Sequence, residues 1–355
     1  MDKYSIDGHK MMYHVDRLNA WLSGKQVYPL YLEVSPSGSC NHRCTYCALD
    51  FMEYKPRFLD TVLFKKRIAE MGKLGVKSVM YAGEGEPFLH KDMPEMIVDT
   101  KRSGIDVALT SNGVLFDKKR VDACLKQITW IKISINGATD KTYNMIHRGK
   151  KGDLGKVMAN MEYAAGLRRV KKYQCTLGMQ LLPLPENSAE AAMLARKAKE
   201  IGMDYLVIKP YSQHPLSRTT QYKDIKYSEY YQLAEELQGF NDDQFNVIFR
   251  LNTMKKWDQG AVAYQHCCAL PFWGYIDAGG DVWACSIYLT DRRFCLGNIY
   301  KDTFKKICLS KKRKDLLDWA AKKFDASHCR INCRMDEVNR YLWSLKNPPA
   351  HVNFI

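Results

Sequence analysis

Six short β-branched or apolar runs, each followed by an amphipathic stretch, limit what this chain can fold into more than any other feature. The runs are 28–34 (YPLYLEV), 77–82 (KSVMYA), 105–110 (IDVALT), 130–135 (WIKISI), 174–182 (QCTLGMQLL) and 204–210 (DYLVIKP). Helical patterns lie between them near 59–74, 91–103, 117–127, 153–169 and 188–201, with Gly104 and Gly202 as stops. Such alternation predicts an α/β protein built of parallel βαβ units with buried strands. A doubly wound sheet and a barrel fit it equally, and in both the functional loops leave the C-terminal ends of strands. Four unusual stretches fall on that face: CNHRCTYC after the first strand, AGEGEP after the second, SNG after the third and NGATDKTY after the fourth.

After about residue 215 the alternation is expected to stop. A helical SEYYQLAEELQGF leads to a hairpin pattern, FWGYIDAGGDVWACSIY, that turns at AGGD, and helices close the chain at KKRKDLLDWAAKK and RMDEVNRYLWSLK. We read an extension over 1–27, the strand–helix body over 28–215, a bridge over 216–260, a cysteine-rich domain over 261–340 and a tail over 341–355.

Composition is that of an ordinary globular protein, 46% hydrophobic and 26% charged. No run approaches the roughly 18 apolar residues a membrane span needs, and the N-terminus lacks a basic start followed by an apolar run. A cytoplasmic protein is expected, and in that reducing setting twelve cysteines are free or metal-bound rather than paired. Cys40, Cys44 and Cys47 cluster near one end; Cys267, Cys268, Cys285, Cys295, Cys308, Cys329 and Cys333 lie near the other. Cys124 and Cys175 read as ordinary buried residues. The net charge of +15 attracts anions, whether a phosphorylated small molecule, a nucleotide sugar, an acidic peptide or nucleic acid. Composition does not choose among them, and spread basic residues also read as solvated helix faces.

Three thiolates within eight positions bind zinc or an iron–sulfur centre. Zinc would recruit His42 as a fourth ligand, from a place between two cysteines where a tight loop aims poorly. Three cysteines around a four-iron cubane leave one iron open to a ligand.

Cys40-x3-Cys44-x2-Cys47, with Tyr46 before the last cysteine and the loop following the first strand, resembles the signature of the radical S-adenosylmethionine superfamily. The resemblance implies a partial (β/α)6 TIM-type barrel and a [4Fe–4S] cluster whose open iron is chelated by S-adenosylmethionine. It further implies reductive cleavage to a 5′-deoxyadenosyl radical that removes a hydrogen atom from the substrate, with a flavodoxin- or ferredoxin-type electron donor. The turn with Gly83, Gly85 and Glu86 is similar to the family's Gly-x-Gly-Glu-Pro turn for the methionyl amino group; its glycines permit close backbone approach and Glu86 offers a carboxylate. Asn112 and Ser134 match loops that contact the ribose and methionyl end, and Arg148 matches an arginine that holds the methionyl carboxylate. Relatives carry Asp where this chain has Asn136, which turns one acceptor oxygen into a donor. Asn187 sits where relatives face the adenosine, or caps the helix after it. Lys209, Tyr211 and His214 follow the sixth strand as substrate contacts, or as a proline-bounded exit loop.

Cys268 and Cys285 bracket the hairpin, with Gly280 five residues before the second, and Cys329 and Cys333 follow. A hairpin brings its ends together, so four thiolates can close one shell for a second cluster or for zinc. The pattern resembles the SPASM domain and its shorter form, the twitch, and implies one auxiliary [4Fe–4S] cluster; Cys267 can replace Cys268. Cys295 and Cys308 are left as buried thiols, with Cys295 also a candidate to return a hydrogen atom to a substrate radical. The resemblance implies oxidation or epimerisation of a polar, anionic sugar, aminocyclitol or nucleotide derivative. The alternatives are a peptide or protein maturase and, in another class, a zinc-stabilised nucleic-acid-binding protein.

Overall fold

Every one of the six runs contains a strand in the computed structural model, which describes residues 3–6, 8–260 and 262–354. The strands are β1 (Tyr31–Val34), β2 (Ser78–Tyr81), β3 (Asp106–Ser111), β4 (Trp130–Ser134), β5 (Thr176–Leu181), β6 (Tyr205–Ile208), β7 (Asn246–Phe249), β8 (Trp273–Ile276), β9 (Asp281–Trp283) and β10 (Cys295–Asn298). They form one sheet in the order β10, β9, β8, β1, β2, β3, β4, β5, β6, β7. Neighbours from β1 to β7 pair in parallel, β8 adds in parallel to the free side of β1, and β9 and β10 complete an antiparallel edge.

Helices join the parallel strands, and local caps set where several begin. Asp60 accepts the amide of Leu63 at the start of Thr61–Lys73, Asp117 that of Arg120 before Lys118–Cys124, and Thr139 that of Thr142 before Asp140–His147. One strand face packs on these helices: Leu32, Val34, Val79, Val107, Leu109, Ile131, Ile133, Leu177, Met179, Leu206 and Ile208 share one buried core. Each such side chain contributes about 1.5–3 kcal/mol by leaving water.

The opposite face is not apolar. Because side chains alternate along a strand, Glu33, Thr110, Lys132 and Gln180 point the other way and line a cavity inside the curved sheet. Gly178 is needed there because a Cβ would run into the Tyr205 ring on the neighbouring strand.

Two features differ from the expected organisation. The alternation continues past residue 215, since the helix Tyr231–Gln238 feeds β7, which pairs with β6. NVIF is too short for its periodicity to register, and it becomes a strand by completing the open edge of β6. The hairpin also joins the barrel sheet directly, with Leu32 opposite Gly274 and Val34 opposite Ile276.

Candidate active site

The cysteine loop leaves β1 and is held by backbone bonds to the helix Asp140–His147: the amides of Arg43 and Thr45 donate to the carbonyls of His147 and Ile146. Cys40, Cys44 and Cys47 are half-buried and unpaired. Burial pushes the Cys40 thiol up to about 12, with the Glu86 carboxylate adding to it. Burial also raises Cys44, helped by Cys47 and Cys40 nearby, and raises Cys47. Three thiols whose charges repel one another in a buried loop keep their protons until a cation is supplied, which is the chemistry of a metal-ligand set.

His147 stands behind this loop. The amide of Asn136 donates to its Nε2 at 3.0 Å, so Nδ1 carries the proton and faces Cys44 Sγ and the Tyr46 hydroxyl, each at 3.4 Å. Burial lowers its pKa well below the usual histidine value, keeping it neutral. Ligand atoms of His42, Cys44 and His147 lie within 4.8 Å of one another, although His42 also pairs with buried Asp153 at 3.2 Å.

The glycine turn after β2 packs hard against the cysteine loop. A Cβ on Gly85 would collide with the Ser39 carbonyl, and Gly83, at φ +113°, lies beneath the Tyr275 hydroxyl. Glu86 does not present a vacant carboxylate as expected. It is buried, one oxygen accepting from Ser111 (2.7 Å) and the Phe88 amide (3.1 Å), the other from the Asn112 amide (2.8 Å). It braces the β2 turn to the β3 loop, and Asn112 carries the brace on to Asn41 at 2.7 Å. The neighbouring Glu84, which the motif reading passed over, ties the same turn to the hairpin, accepting from Arg57 (2.6 Å) and the Ala278 amide (3.0 Å).

Asn187 stands at the N-cap of the short helix Ser188–Glu190 without a side-chain cap bond; its Oδ1 accepts from the Leu184 amide and its Nδ2 donates to the carbonyls of Asn136 and Leu182. Ser134 ends β4 half-buried. Arg148 is the left-handed C-cap of Asp140–His147, exposed and outside the cavity lining.

The cavity measures about 800 Å³ and reaches from Cys44, Cys47, Tyr46 and Gly83 down the strands to Trp130 and Tyr205. That size suits a small-molecule ligand. Lys209, Tyr211 and His214 all line it. His214 is fixed, Nδ1 accepting from the Leu216 amide at 3.1 Å and Nε2 facing the Ser286 carbonyl at 3.3 Å. Burial, with Arg330 nearby, lowers its pKa to about 4.

A second, apolar void gathers the later cysteines. Cys267, Cys285, Cys329 and Cys333 line it with Tyr264 and Tyr288, and backbone amides of Ile287 and Met335 donate to Cys285 Sγ and Cys333 Sγ at 3.4 Å. Cys268, expected in this set, is instead buried outside the void, its amide on Asn339 and Lys346 the charged group in reach of its thiol, while Cys267 lines the void in its place. Cys333 borders both cavities. Cys295 lines neither; its thiol meets the Gly297 carbonyl within β10, away from both cavities. Cys124, Cys175 and Cys308 are buried, as expected. Lys132, Arg330 and Arg334 also line the large cavity, and the motif reading missed them. A lysine inside the apolar run WIKISI was the available signal.

A parallel α/β half-barrel with one three-thiol loop above a substrate-sized cavity and a four-thiol site beside it defines a protein built to hold metal centres at its strand-end loops. Residues 34–200 match the family model described as the radical SAM superfamily, and residues 267–334 match the iron–sulfur cluster-binding domain called SPASM. The chain belongs to the radical SAM superfamily and carries a SPASM domain, which brings [4Fe–4S] clusters and S-adenosylmethionine as its cofactors.

Among curated relatives, GTP 3′,8-cyclase of Chlorobaculum tepidum is 24% identical over 54% of this chain and 57% of its own length. That of Saccharophagus degradans is 31% identical over 51% and 53%, and that of Campylobacter fetus 30% over 64% of each. The chain thus spans between half and two thirds of these relatives. Among solved structures, Streptococcus suis SuiB bound to precursor peptide SuiA superposes with a TM-score of 0.64 at 16% identity, over 86% of this chain and 70% of that one. Native anSMEcpe with bound AdoMet gives 0.58 at 18%, over 82% and 84%. These likenesses concern the fold. No helix among the described residues is long and apolar enough to cross a membrane.

Proposed function

We propose that this chain reductively cleaves S-adenosylmethionine and removes a hydrogen atom from a C–H bond of a polar, anionic small molecule, a sugar, aminocyclitol or nucleotide derivative, which it oxidises. The observation that carries this reading is the 800 Å³ cavity roofed by Cys44, Cys47 and Gly83 and walled by cations. Cys40, Cys44 and Cys47 would hold the first cluster, and Cys267, Cys285, Cys329 and Cys333 the auxiliary one. Bound there, these groups supply the radical initiator above the cavity and an electron acceptor beside it.

The chain's own residues do the positioning. The Gly83–Gly85 backbone offers close approach, and His147 points an N–H at Cys44. Tyr46 lines the roof while Tyr211 and His214 shape the wall. Oxidation is favoured over epimerisation because, among the described residues, the thiols lining the large cavity are Cys44, Cys47 and Cys333, each taken as a ligand. A radical peptide or protein maturase is the second enzyme reading, in keeping with SuiB, whose structure holds a precursor peptide. The His42, Cys44 and His147 grouping is where a zinc ion would compete, against His42 paired with Asp153 and His147 Nε2 with the Asn136 amide, and metal analysis separates that reading.

Iron and sulfide per chain after anaerobic reconstitution test the assignment. About eight irons are expected in the wild type and about four after Cys40, Cys44 and Cys47 are replaced by Ala, as two cubanes require. Cys267→Ala should also hold about four, and Cys268→Ala about eight. A colourless protein carrying zinc ends this reading. Cleavage of S-adenosylmethionine that survives the triple replacement ends the assignment of the first site.

A further inference from the structure

Among the described residues lining the large cavity, cations outnumber carboxylates. Of its acidic lining residues, Glu33 is taken by Arg334 at 2.9 Å. Asp336 and Glu337 are both taken by Lys256, Asp336 also by Arg340. Lys132 and Lys209 have no ion pair and no side-chain hydrogen bond among the described residues, and Lys132 Nζ stands 5.8 Å from the centre of the Trp130 ring. Among the described residues the Arg330 guanidinium donates to Ser212, from Nε to the hydroxyl at 2.7 Å and from Nη2 to the carbonyl at 2.8 Å.

These three cations come from distant parts of the sequence. Lys132 is the central residue of β4, opposite Thr110 on one side and Gly178 on the other. Lys209 follows β6 directly, its backbone amide on the Leu181 carbonyl. Arg330 lies in the loop between Cys329 and Cys333. Each lysine is depressed by burial and then by surrounding cations: Lys132 to about 7, with Arg334 and Arg250 contributing, and Lys209 well below its usual value, with Lys132 the first of its charged neighbours. Gathering like charges without counterions costs stability, and a fold keeps such a cost where a ligand removes it.

We propose that Lys132, Lys209 and Arg330 form an anion subsite that holds a phosphoryl group of the substrate. This deepens the reading of the cavity as a substrate site and rests on it. Two lysine amines, which take up protons from solvent as an anion arrives, and a guanidinium match an oxyanion that carries about two charges and several acceptor oxygens better than a single carboxylate. The subsite lies within the barrel below the thiol loop, so the phosphoryl group anchors the substrate while its C–H bond lies toward Cys44 and Gly83.

Titration calorimetry of the anaerobically reconstituted full chain with sodium pyrophosphate tests this, with malonate as a carboxylate probe. Pyrophosphate is expected to bind, and Lys132→Met and Lys209→Met are each expected to weaken it about tenfold or more, the loss of a charge-assisted contact. Lys132→Arg keeps a cation in place and should restore most of the affinity. Met removes a buried unpaired charge, so both Met variants should fold, as circular dichroism will show. Absent pyrophosphate binding, or equal binding to the Met variants, overturns the subsite; malonate binding as tightly as pyrophosphate overturns the phosphoryl assignment. Iron content and S-adenosylmethionine cleavage of the same wild-type batch report on the enzyme reading separately: clusters with no pyrophosphate binding sink the subsite alone, and pyrophosphate binding with no iron sinks the radical reading alone.

Discussion

Lys132 shows how a single side chain in an otherwise regular strand exposes a binding requirement. Burial and the Arg334 and Arg250 charges depress its pKa from 10.5 to about 7, against one opposing carboxylate, Glu33. In the unfolded chain this lysine keeps its proton to about pH 10.4. Between about pH 7 and pH 10 the unfolded state therefore binds the extra proton, so this group makes stability rise with pH across that window; below pH 7 the cost of the buried charge is present in full. Lys132→Met should raise the melting temperature of the ligand-free protein at pH 7, by a stabilisation of about 1–2 kcal/mol, with the gain shrinking toward pH 9. Thermal melts of both proteins over pH 6.5–9 check this, and a gain that does not depend on pH would place the effect in packing instead of charge. The same residue marks what local reading could reach. Cys40, Cys44, Cys47 and the Gly83–Gly85 turn were legible because spacing within one loop specifies them. Glu86 and Asn187 were not, since their partners Ser111, Asn112 and Asn136 come from other strand ends. Cys267 and Cys268 are chemically identical neighbours, and only the facing of the backbone separates them.

At the level of elements, one arginine fastens three segments. Arg313 opens the helix Lys311–Lys322, where Ser310 accepts its amide at 3.2 Å. Its guanidinium is buried, with 2% exposure, and donates at 3.1 Å to the carbonyls of Cys308, Val27 and Pro271. The end of the helix Phe304–Cys308, the approach to β1 and the approach to β8 are thus held at one point, with no carboxylate among its hydrogen-bond partners. Arg313→Met keeps much of the volume yet strands three buried carbonyls, and a destabilisation of about 3 kcal/mol or more is expected, at about 1–3 kcal/mol per stranded group. Denaturant unfolding measures it, and an unchanged midpoint would show that water or rearrangement satisfies those carbonyls. In the pattern KKRKDLLDWAAKK nothing sets Arg313 apart from the lysines around it, whereas strand positions were legible as short β-branched runs bounded by amphipathic stretches. β7 escaped because four residues between polar flanks carry no period, and the partner edge that makes them a strand is β6.

For the whole molecule, the decisive fact is that the cysteine-rich hairpin continues the barrel sheet. β8 occupies the free side of β1 through four residue pairs, and the Leu30 and Ser35 amides donate to the Phe272 and Ile276 carbonyls at 2.8 Å. Further links cross at both ends. Gln26 donates to the Cys308 carbonyl at 2.7 Å, Arg67 to that of Ile299 at 2.8 Å, and Glu70 accepts the Phe304 and Lys305 amides at 3.1 and 2.9 Å. Glu84 adds the tie between the glycine turn and Ala278, so the cofactor loop and the auxiliary domain are positioned by one carboxylate. A chain ending at residue 260 would leave β1 an open edge, its inner partners Phe272, Trp273 and Tyr275 missing, and edge strands of this kind pair with other chains. We expect such a truncation to be insoluble, and the full chain to unfold in a single calorimetric transition although 355 residues suffice for two independent domains. Two separated transitions, or a soluble and cooperatively folded 1–260 fragment, would show instead that the auxiliary domain docks on a finished barrel. A single transition means that the barrel is completed only when the four-thiol site is in place, which puts the two thiol sites at a separation set by one continuous sheet.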